Sequence, residues 1–142
     1  MPQYFTVEEA NRALPQVRRL VTDIVAAHGE RAERIKEYGH LDHDLESMKS
    51  RRLELDEQLR DLTDQINGFI EELDRIGAVF KGFEPGLADF YAMMDDREIS
   101  LCWKLGESQI DYWHEVEAIC EARQLLPGHV VAEEDEDEDA ED

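Results

Sequence analysis

The sequence has few basic residues, and this scarcity limits the partners that we expect. Its 142 residues include 36 acidic and 15 basic side chains, which gives a formal net charge of -21. A polyanion repels phosphate backbones and anionic lipid headgroups unless it carries a local basic patch, and no segment of the sequence has one. We therefore expect no direct binding to nucleic acid or to a membrane surface.

Cysteines and long apolar runs are also scarce. Cys102 and Cys120 are too few for a disulfide framework and too far apart for a Cys-x-x-Cys metal site, so we interpret both as buried thiols in a reducing compartment. No apolar run approaches the roughly 18 residues of a membrane span, and the first residues lack the pattern of a signal peptide. We expect a cytoplasmic protein.

What the sequence does contain is a long stripe of apolar residues at alternating steps of three and four, the spacing of a coiled-coil seam. Its members are Leu45, Met48, Leu55, Leu59, Leu62, Ile66, Phe69, Leu73 and Ile76. A similar upstream stripe begins after Thr6 and Glu9, which have the spacing of a capping box. The two stripes predict helices over 6–38 and 42–76 that pair as a long antiparallel, coiled-coil-like hairpin.

Polar residues interrupt the predicted seam. With the turn centred near His40, the register brings His28 and Arg31 close to Arg52. This polar seam layer has two interpretations: it fixes the register of the hairpin, or it forms a ligand or subunit site. The first interpretation is the commoner one for polar residues in a seam.

After Gly77 the period changes to an alternation of apolar and polar residues, which predicts a small antiparallel sheet of two or three strands over 78–105. Asp95 and Asp96 form the predicted two-residue turn of a hairpin. The resulting register places Ala92, Phe90 and Ala88 opposite Ile99, Leu101 and Trp103 on one apolar face. It places Asp89 opposite Cys102 on the other face.

The C-terminal part is predicted to form a short helix over 109–123, whose apolar arc packs on the sheet. Residues 1–131 would then form a single elongated domain, and the acidic run 132–142 would be a disordered tail. The predicted fold class is therefore α+β, mostly helical.

Reactive side chains are concentrated in the segment from 89 to 114. The candidate ligand or metal site comprises Asp89, Cys102, Lys104, Glu107, Asp111 and His114. On a helix, Asp111 and His114 would present an oxygen and a nitrogen ligand to a divalent metal. Each residue also has an ordinary structural role, such as a buried cysteine or a hydrogen-bonded histidine. No complete catalytic set is present, so we assign no catalytic residue. The cofactor is left open between a divalent metal and none, and we favour none.

Several motifs resemble a known family. They are Tyr4-Phe5-Thr6-Val7-Glu8-Glu9-Ala10-Asn11 with Leu14-Pro15, Gly86-Leu87-Ala88-Asp89-Phe90, Leu101-Cys102-Trp103-Lys104-Leu105-Gly106-Glu107 and Tyr112-Trp113-His114. Together they resemble the prokaryotic domain of unknown function 2203 over about residues 4 to 126. The resemblance implies no activity or cofactor. The sequence departs from it at Asp95-Asp96, where an Asp-Gly turn is expected.

The leading functional hypothesis is a non-catalytic protein-interaction or assembly module. A seam longer than intramolecular pairing requires favours a homodimer formed through the hairpin, or another protein partner. The alternative is a small metal- or ligand-binding enzyme with its site between the sheet and the C-terminal helix.

Overall fold

The computed structural model describes residues 3–127, and within them the chain has the predicted α+β fold. The helices are α1 (Val7–His40) and α2 (Lys49–Ile76), and the strands are β1 (Ala78–Phe83), β2 (Gly86–Met94), β3 (Arg97–Lys104), β4 (Tyr112–Glu115) and β5 (Gln124–Leu125). The predicted acidic tail, 132–142, lies outside the described residues, as do residues 128–131 of the predicted domain.

Helix α1 begins where its capping box predicts. The Thr6 hydroxyl accepts a hydrogen bond from the Glu9 amide at 3.0 Å, and the Glu9 carboxylate accepts one from the Thr6 amide at 2.9 Å. These bonds satisfy amides that have no partner inside the helix. At the far end of α2, Gly77 adopts φ 107°, and its amide donates to the carbonyl of Leu73. This left-handed glycine closes the helix.

The connection between the helices is longer than predicted. The side chain of Asp42 accepts the Asp44 amide at 3.0 Å, a local turn that competes with helix formation. A short 3-10 turn follows at Glu46–Met48, and α2 begins only at Lys49. The centre of the hairpin therefore lies several residues beyond His40.

This shift changes the register of the two helices. Three side-chain hydrogen bonds join the helices: Glu37 with Arg51, Arg34 with Gln58 and Arg31 with Thr63. The residue number falls along α1 as it rises along α2, as in an antiparallel hairpin.

The predicted layer of His28, Arg31 and Arg52 is wrong in its geometry, because the longer connection moves Arg52 away from the other two. Arg52 donates to the carbonyl of His43 in the connection. His28 instead stacks on Phe83 of β1, with ring centroids 4.2 Å apart. His28 and Arg31 thus lie where the hairpin meets the sheet.

The strands of the described region form one sheet in the order β1-β2-β3-β4-β5, with every neighbouring pair antiparallel. The predicted small antiparallel sheet is confirmed, and it has more strands than the two or three expected. The register of β2 and β3 is the predicted one, including Asp89 opposite Cys102 and Phe90 opposite Leu101. Asp95 and Asp96 make the turn, with φ of 52° and 63°.

The predicted C-terminal helix over 109–123 is wrong. This segment forms β4 and a 3-10 turn at Cys120–Ala122, and β5 follows directly after it. The edge of β3 carries backbone groups that need partners, and β4 pairs with it so that Trp113 lies opposite Leu101. Aromatic residues at 112 and 113 suit a strand. Pairing with the sheet therefore prevailed over the helical spacing of the apolar residues.

The core lies between the helices and one face of the sheet. From α1 it receives a stripe of fully buried residues that includes Val17, Val21 and Ile24, and from the sheet it receives Phe90 and Trp103. Because strand side chains alternate, the polar residues between these apolar ones point to the opposite face, which we call the outer face. Neither helix in the described part of the chain has both the length and the apolar composition needed to cross a membrane.

Candidate functional site

Three side chains of the candidate set come together on the outer face of the sheet. Asp89 of β2 lies opposite Cys102 of β3, and His114 of β4 lies opposite Ser100, two residues before Cys102. Three adjacent hydrogen-bonded strands therefore position Asp89, Cys102 and His114, which we call the Asp–Cys–His set. A site on strands is held more precisely than one on loops.

The Asp–Cys–His set is compact and buried. One ligand atom from each residue lies within 4.8 Å of the other two. The side chains are 2%, 0% and 2% exposed, respectively. In a tetrahedral zinc site, with bonds of about 2.0–2.3 Å, neighbouring ligand atoms are about 3.3–3.8 Å apart. Small movements of these side chains would therefore suffice to surround a metal ion.

The ring of His114 is oriented by two acceptors. Its Nδ1 lies 2.7 Å from the carbonyl oxygen of Glu115, and its Nε2 lies 3.1 Å from Oδ2 of Asp89. Because a carbonyl cannot donate, Nδ1 carries a proton and donates it to Glu115. Nε2 is therefore the nitrogen presented to the Asp–Cys–His set, where it shares one further proton with Asp89.

Burial raises the pKa of Asp89, and its interactions with His114 and Lys81 partly oppose this rise. Removal from water penalises the ionised carboxylate, so a proton or a cation beside Asp89 is favoured. The hydrogen-bonded Asp89–His114 pair supplies a proton in the structure as it stands. A metal ion at the same position would satisfy the same requirement.

Cys102 and Cys120 are joined in a disulfide, so the prediction that both are buried thiols is wrong. The reason is the missing C-terminal helix. After β4 the chain turns back across the outer face and brings Cys120 over Cys102. In this oxidised state Cys102 has no thiolate to offer to a metal, so the Asp–Cys–His set is complete only after reduction.

The segment 116–122, which we call the covering segment, lies over the outer face and borders two cavities. One, of about 280 Å³, we call the His114 cavity; its lining includes Lys81, Leu87, Asp89, His114 and Cys120. The other, of about 430 Å³, we call the Lys104 cavity; its lining includes Leu87, Lys104, Tyr112, Cys120 and Arg123. Leu87, Cys120 and Glu121 border both cavities.

Glu107 is not brought into the Asp–Cys–His set. Its carboxylate accepts hydrogen bonds from the two terminal nitrogens of the Arg123 guanidinium group, at 3.1 and 2.6 Å. It also accepts a hydrogen bond from the Lys104 amide at 3.0 Å. Arg123 in turn lies over the ring of Tyr112, 4.0 Å from its centroid. Glu107 therefore anchors the chain after the covering segment, while Lys104 faces the adjacent cavity.

Asp111 is buried, and its Oδ1 accepts a hydrogen bond from the Gln109 side chain at 2.8 Å. It precedes β4 rather than lying one helical turn before His114, so the predicted pairing of these two ligands on a helix is wrong. Sequence reasoning also missed Cys120 and Lys81 as site residues. An even number of cysteines was the available signal for the disulfide, and the predicted helix concealed it.

These features define an α+β protein with paired long helices on one side of an antiparallel sheet and a buried Asp–Cys–His set on the other. The chain belongs to the family described as uncharacterized conserved protein (DUF2203), whose model matches residues 3–126. The resemblance to the domain of unknown function 2203 is thereby confirmed. No curated protein and no solved structure matches the chain.

Proposed function

We propose that the protein is a metal-binding protein that holds a divalent cation of the zinc type through Asp89, Cys102 and His114 when Cys102 is reduced. The observation that carries this proposal is the mutual approach of their three ligand atoms to within 4.8 Å at a buried site.

The chemistry of the ligands selects the class of metal. A thiolate and an imidazole favour zinc and similar transition metals over magnesium or calcium, which prefer oxygen ligands. Three protein ligands leave one coordination position for water or a small ligand, as in catalytic zinc sites. The adjoining His114 cavity of about 280 Å³ offers room for such a ligand. This supports the alternative of a small metal- or ligand-binding enzyme.

The hydrogen bond from Nδ1 of His114 to the carbonyl of Glu115 also supports metal binding. Histidines that bind a metal usually donate their other ring N–H to a carbonyl or carboxylate, which fixes the tautomer and the ring orientation. At 2.7 Å, this bond already directs Nε2 toward Asp89 and Cys102. A metal would replace the proton that Nε2 shares with Asp89.

Zinc titration of reduced, untagged protein tests the proposal. We expect the wild type to bind about one equivalent of zinc per chain. Cys102→Ser and His114→Gln should each bind zinc at least about tenfold more weakly. Cys120→Ser is the matched control for Cys102→Ser, because both variants lack the disulfide and only Cys102→Ser lacks the ligand. His43→Gln, at an exposed position in the helical connection, controls for adventitious histidine binding.

Reduced wild-type protein that takes up less than one-tenth of an equivalent of zinc would contradict the proposal. So would equal zinc affinity in Cys102→Ser and Cys120→Ser.

A second candidate function is a protein-interaction module in which the helical hairpin forms a homodimer. The buried residues of α1 extend only from Ala10 to Ala27, the part of the helix that packs on the sheet. The C-terminal part of α1, after Ala27, has no buried residue. Large apolar side chains are exposed near this end of the hairpin: Ile35, Leu45 and Leu53 are 56%, 45% and 60% exposed. Pairing of two hairpins would cover them.

Sedimentation equilibrium tests this second candidate. We expect a dimer at tens of micromolar for the wild type and a monomer for Leu53→Lys, with Met93→Lys as a control at an exposed apolar residue of the sheet. A wild-type monomer at that concentration would remove the homodimer proposal.

A further inference from the structure

The two sulfurs of the disulfide differ in access. Cys102 is fully buried on β3, whereas Cys120 is partly exposed on the covering segment and lines both cavities. A small molecule that enters either cavity therefore meets Cys120 first.

The cavities also bring positive charge to Cys120 in a chain with a formal net charge of -21. Lys104 lines the Lys104 cavity, where Glu121 is the opposing acid. Arg123 also faces this cavity, but its charge is paired with Glu107. Lys81 lines the His114 cavity together with two acids, Asp89 and Glu121. The Lys104 cavity is therefore the one that attracts an anionic thiol to Cys120, although the protein as a whole would repel it.

From this geometry we propose that the Cys102–Cys120 disulfide is redox-active and controls metal binding by the Asp–Cys–His set, an inference that rests on the proposed function. A small external thiol loses its proton to solvent, and its thiolate attacks Sγ of Cys120. A bond forms between the incoming sulfur and Cys120, the Cys102–Cys120 bond breaks, and its electron pair leaves on Cys102 as a thiolate.

A second molecule of the same thiol completes the reduction. Its thiolate attacks the sulfur of the first molecule in the mixed disulfide, and Cys120 leaves as a thiolate. Two molecules of external thiol are oxidised to one small disulfide, and the protein disulfide is reduced to two thiols.

The leaving sulfur is the one that the metal requires. Cys102 departs as a thiolate beside Asp89 and His114, and metal binding needs the deprotonated form of a cysteine. Reduction also removes the covalent tie between the covering segment and β3. The amide of Ala122 donates to the carbonyl of Ile119 within the segment, and the amide of Ala118 donates to the carbonyl of Glu115 at the end of β4. Neither bond ties the segment to β3.

Mapping of the mixed disulfide tests the direction of attack. Oxidised protein is mixed with reduced glutathione, quenched with an alkylating reagent and analysed by peptide mass spectrometry. We expect glutathione on Cys120 and the alkyl group on Cys102, at least about tenfold more often than the reverse. Glutathione mainly on Cys102, or a disulfide that glutathione does not open without denaturant, would overturn the proposal.

Zinc titration of three samples tests the control of metal binding: oxidised wild type, reduced wild type, and Cys120→Ser without reductant. We expect zinc on the last two and at least about tenfold weaker binding by the oxidised protein. A disulfide that glutathione does not open, in a protein that binds zinc once a stronger reductant has opened it, would overturn the redox proposal and leave the proposed function intact. Equal zinc binding by oxidised and reduced wild type would overturn redox control together with the role of Cys102 as a ligand. Zinc binding by none of the three would overturn the proposed function itself, and the adduct map would still report separately on the reactivity of the disulfide.

Discussion

Asp89 and Cys102 lie directly opposite one another across β2 and β3, on the face of the sheet that the helices leave uncovered. His114 joins them from β4 and hydrogen-bonds to Asp89. Because strand pairing fixes these positions, the site should tolerate changes in the helices better than changes in the sheet.

Gly86 is required where β2 meets α1. A Cβ at this position would lie 2.6 Å from Cγ1 of Val21 and 2.9 Å from Cγ2 of Val25, and both valines belong to the helix that packs on the sheet. We expect Gly86→Ala to lower the free energy of unfolding by about 1–3 kcal/mol, because the stiff valines cannot move aside freely. Urea denaturation measures this change.

Gly29→Ala is the matched control for that substitution. Gly29 lies within α1, and an added Cβ meets nothing within 4 Å. Alanine favours the helix over glycine, so we expect a gain of up to about 1 kcal/mol. If both substitutions destabilised the protein equally, close packing at Gly86 would not be the cause.

The turn between β2 and β3 places two aspartates in a backbone conformation that favours glycine. Asp95 and Asp96 both have positive φ, which suits the Asn-Gly or Asp-Gly turns of tight hairpins. We expect Asp96→Gly to stabilise the protein by about 0.5–1 kcal/mol and Asp96→Ala to destabilise it. Thermal unfolding of the two variants should therefore shift in opposite directions, and a shift in the same direction would contradict this account of the turn.

Glu37 and Arg51 join the helices by two short contacts, of 2.6 and 2.8 Å. The hydrogen bond from Arg51 lowers the pKa of Glu37 below its usual value of 4.5. The folded protein therefore holds the proton of the Glu37 carboxyl less tightly than the unfolded chain does. The ion pair stabilises the fold above about pH 4.5, and this stabilisation is lost as the pH falls through the lowered pKa.

We therefore expect Glu37→Gln to lower the melting temperature at pH 7 and to have little effect at pH 3. Glu33→Gln, at an exposed position on the same helix, is the control and should show no such pH dependence. An equal effect of Glu37→Gln at both pH values would mean that the ion pair does not stabilise the hairpin.

The disulfide should contribute to stability through the loop that it closes. Cys102 and Cys120 are 18 residues apart, and restriction of such a loop in the unfolded chain is worth about 3 kcal/mol. We expect reductant to lower the free energy of unfolding of the wild type by about this amount and to leave Cys120→Ser unchanged. Equal sensitivity of the two proteins to reductant would show that the effect does not come from the disulfide.

The parts of the fold that local patterns determine were predictable. The capping box at Thr6, the stop at Gly77 and the register that places Asp89 opposite Cys102 all follow from residue types and spacing. The C-terminal segment was not predictable in the same way, because its apolar residues fit a helix and only the open edge of β3 made it a strand. The error hid the disulfide, and it placed Glu107 and Asp111 in a candidate site to which the structure does not bring them.

The central claim is that reduced Cys102 binds a metal together with Asp89 and His114. Its most direct test is anomalous diffraction at the zinc edge from crystals of the reduced protein grown with zinc. The account predicts one anomalous peak within bonding distance of Oδ of Asp89, Sγ of Cys102 and Nε2 of His114, about 2.0–2.3 Å from each. A fully reduced crystal with no peak at this position, or with zinc bound only at exposed carboxylates or histidines, would contradict it.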